Sequence, residues 1–299
     1  MGPYLTIGMP VVARDVVKLD SGGYLIAAKA PGIKCFCMDV GFNKGLVTVD
    51  AWLEKSNDVF VIAVEALPQL HILFETMNTA ADQIGDKNKG SSKDAYWKLS
   101  DFHASQRALR YKKHFARAFI VNGAVSTSPG VAEFHTGQGW DADGNGATDV
   151  ASLFDFDDPS KSKSRGGRHT LVRKFRLDQV LKHVPPPPHA NWDTLKIDIQ
   201  GADVDALLSA GVYLKNFMCV IGEFETAHYK VPAGLATDPV PIMKAAGFVS
   251  AGIAGNMVWI NPRRAKEYLA APESFHCHTI FDVGGLTLGA VKAAFQRVG

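Results

Sequence analysis

The chain has 299 residues, 46% of them hydrophobic and 21% charged, with 32 Lys and Arg against 30 Asp and Glu, for a formal charge of +2. That composition excludes a wholly disordered chain, which needs few apolar residues and a high net charge. No run approaches the roughly 18 uninterrupted apolar residues of a membrane span, and the near-zero charge argues against bulk polyanion binding as the main function. Four cysteines do not make a disulfide framework, and none of them has zinc-ligand spacing, so no metal site is expected. No basic stretch followed by a long apolar run opens the sequence, so a cytoplasmic enzyme is expected.

Short β-branched runs within residues 4–30, broken at Ser21-Gly22-Gly23, predict a hairpin ahead of the main domain. Cys35 to Val40 reads as a buried strand ending at Gly41, with a helix from about Gly45 to Lys55. Val59 to Val64 is a second buried strand ending at Glu65, with a helix after Pro68. This order indicates βαβ units and a parallel sheet. Residues 85–114 are polar and lysine-rich and read as an insertion. Phe119 to Val121 and Val131 to His135 are further strands, and residues 136–170 a long surface loop. Leu177 to His183 is a short helix stopped by four prolines. Leu195 to Ile199 is the next strand, and Ala202 to Ala210 a helix with Val204, Leu207 and Leu208 inward. Phe217 to Gly222 is a strand ending at Glu223. A helix from Pro239 to Ala246 and an antiparallel pair, Phe248 to Ala251 with Met257 to Ile260, close the series. A last helix is expected from Leu286 to Val298.

Three of these strands end in acidic residues beside a glycine or a turn: Asp39-Val40-Gly41, Glu65-Ala66-Leu67-Pro68 and Asp198-Ile199-Gln200-Gly201. Ligands of open α/β sheets bind outside the carboxyl ends of the strands, so these carboxylates converge on one crevice. The turn Asp39-x-Gly41-x-Asn43-x-Gly45 lets the backbone approach a ligand closely and then start a helix. Glu65 follows Gly45 by about 20 residues, where an acidic residue accepts hydrogen bonds from ribose hydroxyls. The turn lacks glycines that a dinucleotide pyrophosphate needs. S-adenosylmethionine carries no phosphate and tolerates the looser turn.

At this point the sequence resembles the FkbM-type methyltransferases, a branch of the class I S-adenosylmethionine-dependent enzymes. The resemblance runs over about residues 35–262. It is carried by Met38-Asp39-Val40-Gly41-Phe42-Asn43-Lys44-Gly45-Leu46-Val47-Thr48, Val64-Glu65-Ala66-Leu67-Pro68, Asn122-Gly123-Ala124-Val125-Ser126, and Leu195-Lys196-Ile197-Asp198-Ile199-Gln200-Gly201-Ala202-Asp203. Gln200 and Asp203 stand where that family often has Glu. The resemblance implies a Rossmann-like α/β fold: a mostly parallel seven-stranded sheet, its last strand antiparallel, with helices on both faces. It places residues 1–34 outside the catalytic domain as a hairpin extension and residues 263–299 as a tail with a helix.

It also implies S-adenosylmethionine as cofactor. Gly41, Asn43 and Gly45 would line its amino-acid end, with Asp39 holding the turn. Glu65 would take the ribose hydroxyls, Ala124 and Val125 would lie near the adenine, and Asp198 would face the sulfonium methyl and the acceptor. Phe42, Thr48 and Ala66 would belong to the same cofactor site. The stretch through Ser152-Leu153 would flank the acceptor pocket. O-methylation of a hydroxyl on a sugar, glycan or other small natural product is the expected reaction.

Such a transfer needs an aligned acceptor and removal of its proton. Candidate bases or orienters are Asp198, Glu223, Glu225 and His228. Glu223 and Glu225 would lie on opposite faces of an extended segment. Alternatively Asp198 caps the helix that follows it. Asp141-x-Asp143-x-Asn145-Gly146 imitates the start of a calcium loop, but Ser152 occupies the position of the bidentate Glu, so a plain polar turn is expected. Two basic clusters, Arg107 to Arg117 and Lys161 to Arg176, leave RNA as an alternative acceptor. A nucleotide-binding protein without catalysis is the other alternative.

Overall fold

In a computed structural model, the structure describes residues 16–18, 24–26, 32–42, 48–49, 52–53, 56–66, 117–136, 151–155, 168–224, 226–227, 229–251, 257–270 and 296. The predicted helix after Pro68, the 85–114 insertion and the Asp141 loop lie outside them, as does the expected last helix apart from Gln296, which is helical.

The strands are β1 (Val16–Lys18), β2 (Tyr24–Ile26), β3 (Cys35–Val40), β4 (Val59–Glu65), β5 (Ala118–Asn122), β6 (Ala124–Val125), β7 (Gly130–Thr136), β8 (Arg168–Phe175), β9 (Asn191–Ile197), β10 (Cys219–Gly222), β11 (Val249–Ser250) and β12 (Met257–Ile260). The helices are α1 (Leu177–His183), α2 (Asp203–Ala210), α3 (Pro239–Ala245) and α4 (Pro262–Ala270). β1 and β2 pair antiparallel as a sheet of their own.

The main sheet is mixed and has seven strands, in the order β11-β12-β10-β9-β3-β4-β5. The pairings β3–β4, β4–β5, β3–β9 and β9–β10 are parallel. β12 is antiparallel to both β10 and β11. Every residue of β3 and β4 is buried, which is why both read as unbroken apolar runs rather than alternating ones. Alternation still assigns the faces. Phe36, Met38, Val40, Phe60, Ile62 and Val64 pack in one core with Leu177 and Val180 of α1, Val204 and Leu207 of α2 and Met243 of α3. Cys35, Cys37, Val59, Val61 and Ala63 pack in the other with Val49, Trp52, Leu53 and Ala265 of α4. Helical segments therefore cover both faces.

Several boundaries differ from the expectation. β9 begins at Asn191, because Trp192 sits edge-on to Phe36 and Phe217 and stacks on Tyr213. Leu208 is not inward but 39% exposed; the small side chains of Ala206 and Ala210, with Leu207, form the packed side of α2 instead. Residues 168–170, placed in the long loop, belong to β8. That strand pairs with β7 and β6 as a separate three-stranded sheet. α4 was not foreseen, although Asn261 before Pro262 is a recognisable helix start: its Oδ1 accepts from the Arg263 N–H at 3.1 Å. Arg117, read as part of a basic cluster, is buried and donates to the carbonyls of Leu53 and Ser56 at 2.9 and 2.5 Å.

Candidate functional site

β3 is the point where the chain reverses its course across the sheet, running outward through β4 and β5 and resuming on the other side at β9. The register there is level: Val40 lies opposite both Val64 and Ile197, Ile197 opposite Gly222, and Glu65 opposite Asn122. The residues that follow these five parallel strands are thus brought side by side. Gly41, Ala66, Gly123, Asp198 and Glu223 all line one cavity of about 340 Å³. Glu65 lines it from the last position of β4, and Ala124 and Val125 from β6. Phe134 of β7, with Ala151 and Leu153, adds an apolar wall. The charged side chains among these described residues are Glu65, Asp198 and Glu223, all acidic.

Two hydrogen bonds hold the floor: the Gly41 N–H donates to the Val64 carbonyl and the Asp198 N–H to the Val40 carbonyl, both at 2.9 Å. Gly41 has φ +84°, and a Cβ there would stand 1.9 Å from the Asp198 carbonyl oxygen, so only glycine lets these two strand ends lie this close. Beneath the cavity, Lys196 of β9 is the register partner of Asp39 of β3. Its Nζ is 3.3 Å from Asp39 Oδ1 and 3.5 Å from Asp198 Oδ2. Burial pushes the Asp39 carboxyl above its usual range, with Lys196 opposing the shift. Burial alone would lower the Lys196 ammonium, but the two carboxylates outweigh it and the net direction is upward.

Beyond β9 the chain makes a tight turn into α2. Asp198 does not cap that helix. Asp203 reaches back instead and accepts from the N–H groups of Ile199 and Gly201 at 3.2 and 3.1 Å. Burial raises the Asp203 carboxyl to about 6, partly countered by those N–H groups. Gln200 also lines the cavity; its Nε2 donates to Asp198 Oδ1 at 3.0 Å.

The structure therefore brings Gly41, Glu65, Ala66, Ala124, Val125, Asp198 and Glu223 to one cavity. Asp39 is buried below it against Lys196. Phe42 is buried in the core on the Cys35 side of the sheet, and Thr48 is buried in the helical segment between β3 and β4. Asn43, Gly45, Glu225 and His228 lie outside the described residues. Phe224 has φ +52°, so the extended backbone that would put Glu223 and Glu225 on opposite faces is not present at Phe224. Sequence reasoning missed Lys196 and Gln200 as members of the site. The polar Lys196 between the apolar Leu195 and Ile197, two residues before Asp198, is a signal for the first.

The cavity lies outside the carboxyl ends of the strands at the switch point of an open α/β sheet, the place where such sheets bind their ligands. Over residues 39–250 the chain matches the model of the methyltransferase FkbM domain, and it belongs to that family. No curated protein and no solved structure matches it. Membership places the chain among the methyltransferases. Among the described residues, no helix is long and apolar enough to cross a membrane.

Proposed function

We propose that the chain is an S-adenosylmethionine-dependent O-methyltransferase acting on a hydroxyl of a sugar, glycan or other small natural product. The observation that carries this reading is the convergence of Gly41, Glu65 and Asp198 on one cavity whose charged described residues are all acidic. A pyrophosphate would meet repulsion there, whereas a sulfonium cation and neutral hydroxyls would not. The residues fit the cofactor in kind: bare backbone at Gly41, a carboxylate at the end of β4, and an apolar wall from Ala124, Val125 and Phe134 for a flat base.

When bound, the cofactor supplies an electrophilic methyl group. Glu65 accepts hydrogen bonds from ribose hydroxyls, and Asp198 holds the amino-acid and sulfonium side through the face it presents to the cavity. Donors on both of its oxygens make Asp198 an orienting group. Glu223, exposed at the cavity mouth, is the acceptor for the hydroxyl proton and passes it to solvent; Glu225 and His228 follow it in sequence as further bases. The catalytic part of the chain runs over residues 35–262.

RNA as acceptor finds less support. Lys174 donates to Ser128, and Arg176 is spent on Asp178 and the Thr127 carbonyl. The test is a thermal shift with S-adenosylhomocysteine beside NAD. Stabilisation by the first is expected; stabilisation by NAD alone would overturn the reading.

A further inference from the structure

Gln200 holds a backbone conformation that few residues with a Cβ adopt, φ +54°. Three hydrogen bonds keep it there. Its carbonyl oxygen accepts from Ser152 Oγ at 2.6 Å, its Oε1 accepts from the Tyr229 hydroxyl at 2.6 Å, and its Nε2 donates to Asp198 Oδ1 at 3.0 Å. The orientation of the amide follows from its neighbours. An ionised carboxylate only accepts, so the NH2 group faces Asp198 and the oxygen faces a donor. Lys196 takes the other oxygen of Asp198 at 3.5 Å. The carboxylate is gripped at both ends, once by a cation and once by a neutral amide.

We propose that Gln200 is a positioning residue for Asp198. Anchored by Tyr229, it fixes the carboxylate in one orientation at the cavity wall and keeps the two side chains at a single negative charge. The inference rests on the reading of Asp198 as a cofactor-facing group. Neutrality at this position matters because charge already crowds it. Asp39 and Lys196 lie below on β3 and β9, Asp203 approaches from the start of α2, and Glu65 and Glu223 share the cavity wall. A second carboxylate in place of the amide would stand beside Asp198 at hydrogen-bond distance, and two carboxylates so placed retain a proton between them.

The test uses the full chain with Gln200→Glu, Gln200→Gly and Tyr229→Phe. S-adenosylhomocysteine is titrated by calorimetry from about pH 5.5 to about pH 8.5, and unfolding without ligand is followed over the same range. Relative to the unsubstituted chain at each pH, Gln200→Glu should lose about tenfold in affinity as pH rises and the shared proton leaves. Its unfolding temperature should fall in the same direction. Gln200→Gly adopts the backbone conformation without strain and so folds; it should weaken binding about tenfold at every pH, adding no pH dependence. Tyr229→Phe should behave likewise, with a smaller loss. Binding by both Gln200 variants that equals the unsubstituted chain at every pH would overturn the proposal. If the unsubstituted chain binds no S-adenosylhomocysteine, the cofactor reading fails, and unfolding decides the positioning role alone. A pH-dependent loss confined to Gln200→Glu then upholds it, and its absence overturns it.

Discussion

Gly41 and Asp198 touch backbone to backbone across the ends of β3 and β9: a Cβ on the glycine would overlap the Asp198 carbonyl oxygen at 1.9 Å. The glycine also has φ +84°, so alanine there adds backbone strain to a steric clash that a side-chain rotation cannot relieve. Gly41→Ala should cost about 3 kcal/mol or more in denaturant unfolding and open the floor of the cavity. A variant as stable as the parent would show that the two strand ends part easily.

Lys196 neutralises Asp39, which is buried. The Lys196 side chain is itself 22% exposed, so its loss is partly softened by water. Lys196→Met should destabilise by about 2–4 kcal/mol, chiefly through the carboxylate left behind. Adding Asp39→Asn should recover much of that loss. A double-mutant cycle with no coupling energy between the two would contradict the pairing.

Asp203 gives a pH signature. Its carboxyl titrates at about 6 in the fold against 3.8 ordinarily, mainly because of burial. The folded chain thus binds the proton more tightly than the unfolded one. Its contribution is fully present below the ordinary value and is lost as pH rises through about 6. Asp203→Asn removes that loss, so the variant should gain about 3 kcal/mol relative to the parent across this window. A stability difference independent of pH would mean that the carboxyl titrates as it does in water.

Glu65 is buried at the end of β4 and lines the cavity. Glu65→Gln keeps its shape and removes the charge that ribose hydroxyls would meet. Affinity for S-adenosylhomocysteine should fall by about 10- to 100-fold, the worth of hydrogen bonds to a charged acceptor. Unchanged affinity by calorimetry would remove Glu65 from the cofactor site.

The centre of the sheet was legible because β3 and β4 are covered on both sides, so their residues form uninterrupted apolar runs with a carboxylate near each end. Asp198 and Glu223 were legible as acidic residues at the ends of predicted strands, Asp198 near the turn at Gly201 and Glu223 after Phe217 to Gly222. β8 was illegible for the opposite reason. In Arg168–Phe175 the adjacent Leu171 and Val172 point to opposite faces, and Leu171 is 70% exposed, so no period-two pattern survives. Its partner β7 lies across a long stretch of chain. Lys196 and Gln200 were overlooked because their roles depend on a register between strands far apart in sequence and on a left-handed backbone. Local residue type carries a signal for Lys196, polar between Leu195 and Ile197, but not for Gln200. Asp203 reaching back, rather than Asp198 reaching forward, is likewise a consequence of that turn.

Cys35, Cys37 and Cys219 are reduced cysteines sealed in the core on one side of the sheet, and burial raises the Cys37 and Cys219 thiols well above their ordinary range. An alkylating reagent in water meets neither their sulfur atoms nor their thiolates while this side is closed. With Cys277 replaced, the three become a built-in clock: modification proceeds only as fast as the central strands come apart, and anything that ties those strands together slows it.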